Sequence, residues 1–445
     1  MRVNQINSSL FFLISFLLTF FPLTNNCLAS DLSNIRFVQV VGGSAHTCAL
    51  TTNSELYCWG ANYYGQLGDG TTEDKSEPVK ILDNVRKVSA HSSQTCAIKN
   101  DNKLYCWGKG NSSYVPEEIR SDVKDVFLGA FHKCITKNNN RLYCWGDDNW
   151  HQLGPIYDAS IDEEARMFDV KDAGLSMYYT CSVKNDSSLY CVGGVRKNYD
   201  YYNDVDLTPT TPLLITQDVK NVRAGSEHFC AIKNDNKLYC WGDNGVGQVG
   251  NGSTYTSDDL YEILSNVNEV SLGTGHTCAI KDNDKLYCWG ANGAGQLGTG
   301  DTVYKLTPMG ISRGIKSVGL GAYHTCAITN DGRLYCWGRN DYGQIGNGVP
   351  GKNVLIPYEV FSFDNSKDTD NDGTIDIDDG CPLDPNKTST GVCGCGNEDI
   401  LHCGLDLFNN EKVVQVAGGY SHTCVVTDAS KLYCWGSNSS GQLGD

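Results

Sequence analysis

The stretch HTCAIKDNDKLYCWG, His276 to Gly290, decides the fold. Thr277 to Ile280 and Leu286 to Trp289 alternate in the period of two that half-buried strands require, and Asp282 to Asp284 between them is turn-forming. Two such runs around so short a polar link predict a β-hairpin. A turn centred on Asn283 sets Cys278 directly opposite Cys288, with β-carbons close enough for a sulfur bridge.

The same ten-residue offset recurs in Cys48 and Cys58, Cys96 and Cys106, Cys134 and Cys144, Cys181 and Cys191, Cys230 and Cys240, Cys326 and Cys336, and Cys424 and Cys434. The first cysteines follow one another at steps of 48, 38, 47, 49, 48 and 48, then 98, so one unit is shortened and one large insertion follows the seventh. A period of this size means a propeller or a solenoid, built here from a hairpin repeated eight times. Each pair is expected to form a disulfide within its own hairpin, worth roughly 2 to 3 kcal/mol by the loop-closure argument. Zinc is the rival use of these cysteines, and sulfur atoms already opposed across a hairpin argue against it.

The runs HTCAL, LYCWG, AN and GQLG in Ala45 to Gly68, again in Gly275 to Gly298 and in Tyr323 to Gly346, resemble the repeat of the regulator of chromosome condensation superfamily. The resemblance implies an all-β, seven-bladed propeller of four-stranded blades, and seven full repeats run from about Asn34 to Phe361. Two units depart from the pattern. The second reads WGKGNSSYVPEEI where GQLG is expected, and the fourth has CVGG at Cys191 to Gly194 followed by a tyrosine-rich stretch. The family's chromatin-binding and nucleotide-exchange members are intracellular, so neither activity transfers to a chain with the features that follow.

The N-terminus carries Arg2, an apolar stretch from Leu10 to Phe21, then Pro22 and small polar residues. That stretch is too short to span a bilayer and reads as a secretory signal, residues 1–30, cleaved near Ala29 or Ser30. Asn26 is a poor neighbour for a lipid-modified Cys27. Removing the signal leaves 20 of the 21 cysteines, an even number that suits a secreted, cell-surface or periplasmic chain. The net charge of −17 repels phosphate backbones, and no run of Lys and Arg offsets it, so nucleic-acid binding is not expected. No later segment is apolar enough for a membrane span.

Between the seventh repeat, ending near residue 361, and the eighth unit, residues 411–445, lies a linker at 362–410. It contains Asp368, Asp370, Asp372, Gly373, Thr374, Asp376 and Asp379. Oxygen ligands at positions one, three, five, nine and twelve, with glycine at six, describe a loop that wraps a hard cation, and the expected cofactor is Ca2+. Thr374 would use its backbone carbonyl, and Asp379 stands where such loops place a bidentate Glu. The block, followed by CP at Cys381 and Pro382, resembles thrombospondin type 3 calcium repeats. The bland alternative is a disordered acidic linker, in which the carboxylates between Asp364 and Asp379 repel one another. Cys381, Cys393, Cys395 and Cys403 remain for this segment; Cys393 and Cys395 are expected to bond Cys381 or Cys403 in either order. The eighth unit stops within a repeat. A lone hairpin cannot bury a core, so it either docks on the first ring or starts a second propeller; the second is the expectation.

Histidine stands two residues before the first cysteine in six units: His46, His132, His228, His276, His324 and His422. One residue per blade in register reads as a structural peg, and the recurring tryptophans of the WG pairs read as blade packing. No GxSxG or zincin motif is present, and no lone Cys and His could make a nucleophile. Positions that break the repeat are better candidates for partner contact: Tyr199, Tyr201 and Tyr202 in the fourth unit, joined by Tyr63, Tyr64, Trp150 and Tyr342 in loops after WG. The expected function is a monomeric, non-catalytic scaffold that binds a protein or cell-surface partner. Alternatives are a secreted inhibitor of a hydrolase, or a hydrolase or lyase working on one propeller face.

Overall fold

The computed structural model describes residues 35–111, 114–155, 165–194 and 211–360, together with the backbone of three further strands near the C-terminus. The first hairpin forms as the pattern predicts. Strand β1 (Phe37–Gly42) pairs with β2 (His46–Thr51), β2 with β3 (Leu56–Gly60), and β3 with β4 (Lys75–Leu82), giving an antiparallel four-stranded meander. Six more sheets of the same order follow, over residues 85–120, 123–167, 170–216, 219–264, 267–312 and 315–359. Seven four-stranded blades therefore stand where seven repeats were read.

Register explains the cysteines. In every blade the two central strands pair cysteine with cysteine, as Cys278 with Cys288, and the Cα atoms lie 4.0 to 4.1 Å apart. Seven disulfides close the seven hairpins. The central strands are buried almost throughout, in HTCALT and LYCWG of the first blade without exception. The cores lie between blades: Cys278, Ile280 and Leu286 of the sixth blade pack against Ile315, Val318 and Trp337 of the seventh. No single blade encloses its own core, which is why the array must close.

Each blade is built wholly from consecutive residues, so the first and seventh blades meet by packing rather than by sharing a sheet. Phe37, Val40, Ala49 and Trp59 of the first form one core with Ile328, Leu334 and Ile345 of the seventh. Their inner strands approach so closely that a β-carbon on Gly319 would lie 2.2 Å from the Val40 carbonyl oxygen. Only glycine fits there.

In the eighth unit, Val413–Gly418, His422–Thr427 and Leu432–Gly436 form a three-stranded sheet whose register sets Cys424 opposite Cys434. The side chains of this unit, including His422 and the predicted Cys424 to Cys434 bridge, lie outside the described residues. So do the signal segment, Tyr199, Tyr201, Tyr202, the calcium-ligand set Asp368 to Asp379, and Cys381, Cys393, Cys395 and Cys403. No helix among the described residues is long and apolar enough to cross a membrane.

Candidate functional site

The meander sends the β1–β2 and β3–β4 connections of every blade to one end of the ring and the hairpin turns to the other. The two ends differ in chemistry. The hairpin turns, such as KNDNK after Ile98 and Ile232, are polar in every blade. At the loop end stand Tyr63, Tyr64, Tyr114, Phe131, Tyr255, Tyr304, Tyr323 and Tyr342, eight of the nine aromatic residues that are largely exposed among those described. Monomeric surfaces rarely gather aromatic rings this way without a use for them.

Of the residues singled out from sequence, Tyr63 and Tyr64 meet edge to face at 4.9 Å, with Tyr63 at 76% exposure and the Lys109 ammonium 5.4 Å from the Tyr64 ring. Tyr342 is also exposed. Trp150 is half-buried against Tyr178 of the next blade, with ring centres 4.8 Å apart, so it offers less free surface. Tyr114, Phe131, Tyr255, Tyr304 and Tyr323 were missed because single aromatics in variable loops carry no repeat signal.

Beneath this end, a polar latch joins neighbouring blades. The GQLG loop is folded by a buried Asn: Asn292 Oδ1 accepts the Leu297 amide at 2.9 Å, and Asn62, Asn244 and Asn340 do the same in their blades. The loop thereby aims the Gln296 carbonyl at the next blade, where it accepts the Thr325 hydroxyl at 2.8 Å and the Trp337 indole N–H at 3.0 Å. His276 Nε2 lies 3.0 Å from the same Thr325 hydroxyl. That hydroxyl has one proton and gives it to the carbonyl, so the imidazole donates from Nε2 and its Nδ1 is left without a proton or a partner. His46 with Thr95, His132 with Thr180, His228 with Thr277, and His324 with Thr47 repeat the contact. Burial pushes the pKa of His46, His132 and His276 down to about 3, and that of His228 and His324 to about 4. Among the described residues no group of three His, Cys, Asp or Glu is placed to hold a metal ion.

The first strands of all seven blades line an axial channel of about 460 Å3. Its carboxylates are engaged in bracing. Asp172 accepts the Val222 amide at 2.9 Å and pairs with Arg223 at 2.9 Å, raising the guanidinium pKa. Glu269 accepts the Val318 amide and the Ser317 hydroxyl, both at 3.0 Å, while its burial raises its own pKa. Asp125 pairs with Lys87 of the preceding blade.

This geometry agrees with the comparisons to known proteins. The sequence model of the RCC1-like domain matches residues 115–445, and that of the regulator of chromosome condensation (RCC1) repeat matches residues 37–66 and 53–98. The chain belongs to the RCC1-repeat family. It is 46% identical over 55 residues to the probable E3 ubiquitin-protein ligase HERC4 of Homo sapiens, a match covering 12% of this chain and 5% of that protein. It is 46% identical over 50 residues to the ultraviolet-B receptor UVR8 of Arabidopsis thaliana, covering 11% of each. The matched segments are thus about one repeat long and a small part of either relative. Among solved structures, human WBSCR16 superposes with a TM-score of 0.57 at 16% identity, over 69% of this chain and 94% of that one, a likeness of fold.

Proposed function

We propose that this RCC1-repeat propeller is an exported, monomeric, non-catalytic scaffold that binds a protein or cell-surface partner through the loop end of its ring. The observation that carries the reading is the one-sided distribution of exposed aromatic rings, eight at the loop end against polar hairpin turns opposite. Tyrosine contributes large contact area with few rotors to fix, which suits an interface. Seven hairpin disulfides suit an oxidising compartment, in keeping with an N-terminal export signal. The engagement of the channel carboxylates in bracing, and of the blade histidines in latches, favours binding over catalysis. In the same reading the segment at 362–410 is a thrombospondin type 3-like linker that binds Ca2+ through Asp368, Asp370, Asp372, Thr374, Asp376 and Asp379 and leads to the eighth repeat unit.

The test is cross-linking capture of cell-surface proteins by the unsubstituted chain and by the Tyr63→Ala/Tyr64→Ala variant. A loss of ten-fold or more in a reproducibly captured partner, with no change for substitutions in the hairpin turns such as Asp101→Ala, is the expected result. Capture that depends on the turns and ignores the tyrosines would overturn it.

A further inference from the structure

Two seams lack the latch, and they have been treated differently. Between the fourth and fifth blades, Tyr179, Phe229 and Trp241 fill the space, with Tyr179 edge-on to Phe229 at 5.8 Å and Phe229 stacked on Trp241 at 5.6 Å. Between the second and third blades, Gln94 replaces the histidine, Lys133 replaces the threonine, and the second blade has no GQLG loop to offer a glutamine carbonyl. Trp145 keeps the tryptophan position, under the Arg120 guanidinium, 5.6 Å from its ring. No aromatic stack among the described residues substitutes for the lost acceptor.

Lys133 is 9% exposed, and its ammonium makes no hydrogen bond or ion pair among the described residues. Its burial lowers the ammonium pKa. The Gln94 side-chain oxygen is buried without a partner, and the Trp145 indole N–H makes no hydrogen bond among the described residues. Two donors, one of them cationic, thus face a seam whose regular acceptor is missing. Phe131, two residues before Lys133 at the loop end of the third blade, is 45% exposed.

We propose that this seam receives an acidic side chain of the partner, whose carboxylate takes the place that a Gln carbonyl holds in the regular seams and accepts from Lys133 and Trp145. An Asp or Glu beside an aromatic or aliphatic residue fits, because Phe131 offers apolar surface and the Arg120 guanidinium over the Trp145 ring reinforces the attraction. The inference rests on the loop end being the binding face, and it names the chemistry recognised there.

The whole chain, labelled with 15N, is titrated with acetyl-Gly-Phe-Asp-Gly-amide and with its Asn counterpart. The Trp145 indole resonance is identified by its loss in Trp145→Phe. The acidic peptide should move that resonance saturably, the Asn peptide should bind at least ten-fold more weakly, and Lys133→Thr should abolish the response. That substitution restores the residue of the regular seams, so the remaining indole resonances should stay in place. Equal effects of the two peptides, an undiminished response in Lys133→Thr, or an unmoved Trp145 would each overturn the slot. A peptide that moves the Tyr63 and Tyr64 amides while Trp145 stays still overturns the slot and leaves the face reading standing.

Discussion

A threonine hydroxyl is the smallest part of this ring that carries its cohesion. Thr325 satisfies a histidine donor and a carbonyl acceptor at once, both buried, so Thr325→Val strips the His276 N–H of its acceptor and leaves the Gln296 carbonyl only the Trp337 indole, and should lower unfolding free energy by about 1 to 3 kcal/mol. Urea unfolding checks this, and a loss no larger than that of an exposed Thr→Val would remove the latch from the account. The imidazoles add a pH dependence whose sign follows from their lowered pKa values of about 3 to 4. Above pH 6.5 both folded and unfolded chains keep them neutral, and the stability is whole. From pH 6.5 down to about 4 the unfolded chain takes up protons that the folded chain refuses, so stability falls by up to about 1.4 kcal/mol per pH unit for each histidine. Below the folded values the slope flattens. Equal urea midpoints at pH 7 and pH 5 would contradict the neutral-peg account. The histidines were legible as pegs because they recur in register. The threonines beside them recur just as regularly, yet nothing in their spacing said that they reach across to another blade.

At the scale of one blade, sequence and structure coincide most closely. A hairpin of alternating residues around a polar turn forms from local preferences, and the cysteine pair follows from its register. Replacing Cys278 and Cys288 together by Ala should therefore leave the hairpin in place while lowering stability by roughly 2 to 3 kcal/mol, read by chemical denaturation under non-reducing conditions. The fourth and fifth blades show where local reading stops. Phe229 stands in a threonine position, and only its stacking with Tyr179 and Trp241 explains the exchange. Phe229→Ala should cost about 3 to 5 kcal/mol, well above the loss of a single latch hydroxyl. A smaller loss in thermal or urea unfolding would mean that the seam is held elsewhere.

For the whole molecule, closure is the deciding event. The ring joins where Gly319 meets the Val40 carbonyl, and Gly319→Ala should open or strain that seam at a cost on the order of 1 to 3 kcal/mol, with increased proteolysis between the first and seventh blades. Unchanged stability and protease resistance would mean that closure tolerates a wider gap. Beyond the ring, the acidic linker should give a calcium-dependent heat by calorimetry, abolished by Asp370→Asn/Asp372→Asn; no heat in the unsubstituted chain would sink the calcium reading. The sequence by itself determined the number of blades, the hairpin in each and the cysteine pairs, because these depend on residues ten apart within one period. It also marked the second and fourth units as irregular. Only the tertiary structure decided what those irregularities do, since a seam is made by side chains some 50 or nearly 300 residues apart, as Thr47 and His324 are. The aromatic end of the ring belongs to the same class of fact: its tyrosines come from separate repeats, and closure alone brings them to one face.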